Sequence, residues 1–197
     1  MTPAAGDFQI VAMAASAGGL NALTQVLAAL PADFPAAIVV VQHLDPRHRS
    51  LMASILGRRT GLKVVQARHA EFAVPGTVYL APPDHHLLVD AKGMLALTHT
   101  ELVHFVRPSA DLLFESTAAS FKERAIAVVL SGAGSDGAMG VKAIKKMGGT
   151  VIVQDPRFAE HAGMPAAAER TGAVDFMLPL EEIASALHSL VSGAPKR

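Results

Sequence analysis

The sequence predicts an α/β domain: three layers, α/β/α, around a doubly wound, mostly parallel sheet with one β-hairpin. Two observations predict it. Strand-length apolar runs alternate with helical patterns along almost the whole chain, which is the signature of linked βαβ units. Of 197 residues, 51% are hydrophobic and only 17% charged, as suits a sheet covered on both faces.

The elements follow in order. Residues 1–7 form a short polar leader, and residues 8–14 read as the first strand. Residues 18–30 read as a helix with Leu20, Leu23, Leu27 and Leu30 on one face, stopped by Pro31. Residues 36–41 are a second strand. Residues 49–59 are a second amphipathic helix, with Gly61 just past its end. Short strands follow at 63–67 and 77–81. Ala91-Lys92-Gly93 then joins 87–90 to 94–98 as an antiparallel hairpin. Ser109 is placed to cap a helix over about 110–123. Beyond it come a strand at 125–130, a helix at 137–147 and a strand at 150–154. A short helix at 164–171 has Pro165 near its start. A last strand at 174–178 and a closing helix at 180–191 complete the pattern. With no repeat and no low-complexity linker, residues 1–197 read as a single domain with its core at about 8–191.

Composition narrows the function. The formal net charge is zero, which gives no sign of nucleic acid or an anionic membrane as partner. No Cys is present, so disulfides, thiolate metal sites and a Cys nucleophile are excluded. No apolar run approaches the ~18 residues of a membrane span. The first basic residue is Arg47, so the amino terminus lacks the charged start of a secretory signal. A cytoplasmic protein without membrane insertion is the expectation.

Three residues end apolar strand runs: Ser16, His43 and Asp136. Open α/β sheets bind ligands at the carboxyl ends of their strands, so these residues can meet at one edge. Together they are the groups that nucleophilic acyl transfer requires. Ala14-Ala15-Ser16-Ala17-Gly18-Gly19 nearly fits the nucleophile elbow G-x-S-x-G, and also fits a tight turn with a capping serine. The helix start at Ala17 and Gly18, with Gly132, Ala133 and Gly134, offers candidate oxyanion donors or pocket walls.

Gly132-x-Gly134-x-x-Gly137 also matches the dinucleotide fingerprint, with Asp155 at the end of the next strand where a ribose-binding acid would sit. Against that, Asp136 places a carboxylate among the amides meant for pyrophosphate. Asp84-His85-His86 could form half of a metal site, but a matching cluster is missing and zinc needs three or four ligands. No metal and no cofactor are therefore expected. Arg107, ahead of a predicted helix, suits a substrate carboxylate or a surface charge.

Six segments, in order, resemble the catalytic domain of the chemotaxis protein-glutamate methylesterases (CheB type). They are Ala15-Ser16-Ala17-Gly18-Gly19, Gln42-His43-Leu44, Ala81-Pro82-Pro83-Asp84-His85-His86, Arg107-Pro108-Ser109, Leu130-Ser131-Gly132-Ala133-Gly134-Ser135-Asp136-Gly137-Ala138 and Gly163-Met164-Pro165. The resemblance implies a cytoplasmic serine hydrolase that removes methyl esters from glutamate side chains of chemoreceptor helices, with glutamine deamidation by the same chemistry. It places the triad on Ser16, His43 and Asp136 and substrate contacts on His86, Arg107 and Met164. Ala17 stands where that family usually has Thr, and Ala133 where a larger side chain is common. The family's often-fused receiver domain is not seen before the first strand, so control by that domain is expected to be absent or supplied in trans. The readings that compete are a dinucleotide-binding protein on the Gly132–Gly137 loop and a non-catalytic domain that binds a signalling partner.

Overall fold

The computed structural model describes residues 9–45, 47 and 50–193. The polar leader, residue 8 of the first predicted strand and residue 49 of the second predicted helix lie outside the described residues. The elements are β1 (Gln9–Ala15), α1 (Gly19–Ala28), β2 (Ala36–Gln42), α2 (Met52–Gly57), β3 (Lys63–Gln66), β4 (Thr77–Leu80), β5 (His86–Val89) and β6 (Leu95–Thr98). They continue with α3 (Ala110–Phe121), β7 (Ala125–Val129), α4 (Ala138–Lys146), β8 (Thr150–Gln154), α5 (Gly163–Glu169), β9 (Phe176–Leu178) and α6 (Leu180–Val191).

Seven strands form a parallel sheet in the order β3-β4-β2-β1-β7-β8-β9. The central strands are apolar at nearly every position because both faces are covered. Ile10, Ala12, Val39, Val41, Ala127 and Val129 pack with Leu113 and Phe114 of α3 on one face. Val11, Met13, Ile38 and Val40 pack with Leu23 and Leu27 of α1 and Ile183 and Leu187 of α6 on the other. Odd and even strand residues thus feed different layers.

The antiparallel hairpin β5–β6 forms as expected, but as a separate two-stranded sheet, burying Leu87, Val89 and Leu95 in the α3 layer. Among the described residues, no helix is long and apolar enough to cross a membrane.

Three local expectations need correction. Leu20 lies 37% exposed, because the buried face of α1 runs Gly19, Ala22, Leu23, Val26, Leu27, one step round the helix. The second helix is shorter than predicted, Met52–Gly57, and begins where Ser50 Oγ accepts the Met52 N–H. Ser109 occupies the N-cap position of α3 but makes no side-chain cap bond. Its hydroxyl is drawn off by a carboxylate from another part of the chain.

Candidate active site

Sheet register brings the first two candidate residues together. Ala15 pairs with Gln42, so Ser16 and His43 stand one step beyond, side by side on adjacent parallel strands. The His43 N–H donates to Ala15 O at 3.1 Å, and the Ser16 N–H to Ser131 O at 3.0 Å past β7. Strand alternation carries both side chains onto the α3 face, following Ala14 and Val41. β1 lies between β2, which the chain enters next, and β7, which it enters only after β6 and α3. The site thus sits where the sheet order reverses.

The turn that carries Ser16 is stapled from both neighbours. Gln42 Nε2 donates to Ser16 O at 2.8 Å and to His43 O at 3.1 Å. Ser131 Oγ donates to Ala17 O at 2.8 Å and accepts the His161 N–H at 2.9 Å. Gly18 turns the chain at φ 73°, a left-handed conformation that favours glycine. The buried polar Gln42, at the end of an otherwise apolar strand, is the signal in the sequence that could have pointed to this role.

Asp136 comes from the β7–α4 loop and is 5% exposed. Its Oδ2 faces His43 Nε2 at 2.8 Å and accepts the Ala110 N–H at 2.6 Å. Its Oδ1 accepts Ser109 Oγ–H at 2.9 Å and the Asp111 N–H at 3.1 Å. The carboxylate therefore caps α3, a helix it does not belong to, and sits at the positive end of that helix. Burial alone would raise its pKa. The hydrogen bonds from His43 and from the Ala110 and Asp111 amides outweigh burial and hold it below the usual carboxylate value. An ionised carboxylate has no proton to give, so His43 Nε2–H is the donor and Nδ1 is left bare. No hydrogen bond joins Ser16 Oγ to His43 among the described residues. Such contacts are often loose without substrate.

The remaining candidates divide. The Ala17, Ala133 and Gly134 N–H groups donate to no other described residue and remain open as oxyanion donors. Gly132 is not a donor, because its N–H is committed to His161 O at 3.0 Å. Its place is steric: a Cβ there would stand 2.2 Å from Met164 Sδ and 3.0 Å from Ser16 Cβ.

Met164 is 1% exposed, and its N–H donates to Gly132 O at 2.8 Å. Its side chain is buried against Gly132 and presents no exposed surface for the expected substrate contact. His86 is fully buried, with Nδ1 accepting the Ser109 N–H at 3.1 Å and Nε2 against Glu101 O at 3.0 Å. It supports Ser109, which in turn holds Asp136, so it too is no substrate contact. Sequence reasoning missed this because the three residues lie in separate segments.

Arg107 does reach the site. It lines a cavity of about 210 Å³ with His43, Leu44, Asp84, Leu102, Phe105 and Val106. Its Nε and Nη2 donate to Asp84 Oδ1 at 2.9 and 2.6 Å, and Nη1 donates to Thr100 O. His99 at 2.9 Å and Arg107 together hold the Asp84 carboxyl below its ordinary pKa. Asp84, His85 and His86 turn to three different partners, Arg107, Pro83 O and Ser109, so they do not converge on one point. The expected ribose acid Asp155 is likewise engaged, its carboxylate gripped by Arg157 at 2.6–3.1 Å.

The wall of the cavity contains a strained turn. Val103 and Val106 exchange backbone hydrogen bonds at 3.2 and 3.0 Å around His104 and Phe105, whose φ values are 50° and 66°. L-residues in this region cost roughly 1–2 kcal/mol each.

A family model described as CheB methylesterase matches residues 11–187 of the chain. A putative protein-glutamate methylesterase/protein-glutamine glutaminase of Leptospira interrogans is 40% identical over 178 residues, 90% of this chain and 92% of that protein. Protein-glutamate methylesterase/protein-glutamine glutaminase 2 of Burkholderia lata is 44% identical over 190 residues, 96% of this chain but 56% of its own length. Protein-glutamate methylesterase FrzG of Myxococcus xanthus is 42% identical over 91% of this chain and 54% of its own. The chain thus spans nearly all of the first relative and about half of the other two. Among solved structures, the Thermotoga maritima CheB methylesterase catalytic domain superposes with a TM-score of 0.90 at 37% identity. The match covers 94% of this chain and 100% of that one.

Proposed function

The chain belongs to the CheB methylesterase family, and on that premise we propose that it is a cytoplasmic serine hydrolase acting on methyl-esterified glutamate side chains of chemoreceptor helices. Glutamine deamidation belongs to the same proposal, since amide and ester share one acyl intermediate. So does a receiver domain acting in trans as regulator. The observation that carries the reading is the 2.8 Å His43–Asp136 pair beside the strand end bearing Ser16.

Ser16 Oγ attacks the ester carbonyl while His43 Nδ1, the bare ring nitrogen, takes the hydroxyl proton. Asp136 stabilises the imidazolium through Nε2–H. The Ala17, Ala133 and Gly134 amides, which donate to no other described residue, are the groups we assign to the oxyanion. His43 then gives its proton to the departing methoxide, releasing methanol. Water, deprotonated by the same nitrogen, attacks the glutamyl-enzyme and frees the carboxylate. Arg107, its charge paired with Asp84 in the same cavity wall, fits the role of shaping the wall beside the ester.

The test is methanol release from methylated receptor. Ser16→Ala should lower the saturated rate by about 10^3-fold or more, and the Ser16→Ala, His43→Ala double variant little further, because the groups act as a unit. Full turnover by Ser16→Ala would remove the nucleophile from the mechanism.

A further inference from the structure

We propose that the turn at His104 and Phe105 is a binding finger, in which Phe105 grips an apolar side chain about one helical turn from the esterified glutamate. The inference rests on the esterase reading and deepens it, by naming a contact that selects a helix carrying that pair of residues.

Four observations converge on it. Two-residue hairpin turns with both central residues at positive φ favour Asn and Gly, yet this one holds His and Phe. Phe105 is 94% exposed, so the fold gains nothing from burying it. Phe105 also borders the cavity that His43 lines, where Leu44, Leu102 and Val106 add apolar wall beside Asp84 and Arg107. Leu102, 54% exposed, extends that surface outward.

The turn is tied at its base and approaches α3 at its tip. Its base is tied by Arg107 to Asp84 and to Thr100 O. At its tip, His104 Nε2 lies 3.6 Å from Asp111 Oδ2, a buried oxygen without a hydrogen bond among the described residues. Asp111 belongs to the same first turn of α3 whose N–H groups hold Asp136. The backbone that carries Phe105 is therefore held near the reacting groups, which lowers the backbone share of the ordering cost of a contact made there.

The chemistry of the wall selects the occupant. An apolar patch flanked by the Arg107–Asp84 ion pair matches an amphipathic helix, on which residues three or four apart share a face about 5–6 Å apart.

Phe105→Ala should raise the KM for methylated receptor about tenfold while the saturated rate of methanol release changes less than twofold. Phe105→Trp should restore most of the lost affinity. Phe105→Gly should raise KM likewise without lowering the melting temperature, since glycine accepts the positive φ and the ring is exposed. A KM within twofold of wild type in Phe105→Ala overturns the finger. So does a dimer that dissociates on this substitution with KM unchanged, which would assign the ring to self-association. Ser16→Ala measured alongside separates the two claims: its loss of turnover with an unaltered Phe105→Ala KM rejects the finger and keeps the esterase, and its retention of turnover rejects both.

Discussion

Replacing Asp136 by Asn tests the site at its most connected point. The carboxylate accepts four hydrogen bonds, two on each oxygen, from His43 and Ala110 on Oδ2 and from Ser109 and Asp111 on Oδ1. An amide must aim its NH2 at one pair. On the Oδ2 side it meets the Ala110 N–H at 2.6 Å and forces His43 to present a bare Nε2, which moves the ring proton to Nδ1 and removes the base. On the Oδ1 side Ser109 can reverse its hydroxyl, and the cost falls on the longer 3.1 Å bond from Asp111. The second pose is the cheaper one. It leaves one buried N–H unpaired, at about 1–3 kcal/mol of stability. It keeps the His43 tautomer but loses the charge that stabilises the imidazolium, so kcat should fall by about 10^2–10^4.

The pH dependence has a definite sign. Asp136 titrates below the unfolded value of about 3.9. Its ionised form therefore stabilises the fold above that pH, and the stabilisation is lost as pH falls through the folded pKa. The variant lacks this contribution throughout, so the stability gap between the two proteins should close in acid. Urea unfolding across pH 3–7 and methanol release from methylated receptor measure the two effects. A variant within tenfold of wild-type kcat, or a stability gap that widens in acid, would refute the reasoning.

Two further predictions follow from the packing around Asp136 and Ser16. Gly132→Ala places a Cβ 2.2 Å from Met164 Sδ and 3.0 Å from Ser16 Cβ, so kcat should drop at least tenfold, and Met164→Ala added to it should recover part of the loss in the same assay; equal rates for the Gly132→Ala variant and wild type would show that the loop yields freely. Asp111 has its pKa raised, first by burial, so its ionisation disfavours the fold as pH rises from the unfolded value through the folded one; Asp111→Asn keeps an oxygen for the Gly140 N–H and should gain stability at pH 7 relative to wild type, a gain that shrinks towards pH 3 in denaturation curves, and a loss at pH 7 would mean that the His104 contact outweighs desolvation.

The sequence by itself determined the layers, the strand order's raw material and the three strand-end residues. Buried parallel strands such as Ala36–Gln42 are continuous apolar runs, so a polar residue at the end of one, like His43, is visible without a structure. The helices on either side of 150–154 and the closing helix Leu180–Val191 were legible from the alternation of strand and helix segments along the chain. What tertiary structure alone decided is who pairs with whom across long separations. Ser109 looks like a helix cap, yet Asp136, 27 residues on, supplies the oxygens at that helix end and takes the serine's hydroxyl as well. His86 looks like a ligand-binding histidine and is instead fully buried under Ser109. Gly132 looks like a free amide, but the chain returns at His161 to accept its proton. Each local pattern lists the donors and acceptors a segment owns; which of them are consumed inside the protein, and which stay open for chemistry, depends on the segments that folding packs against it.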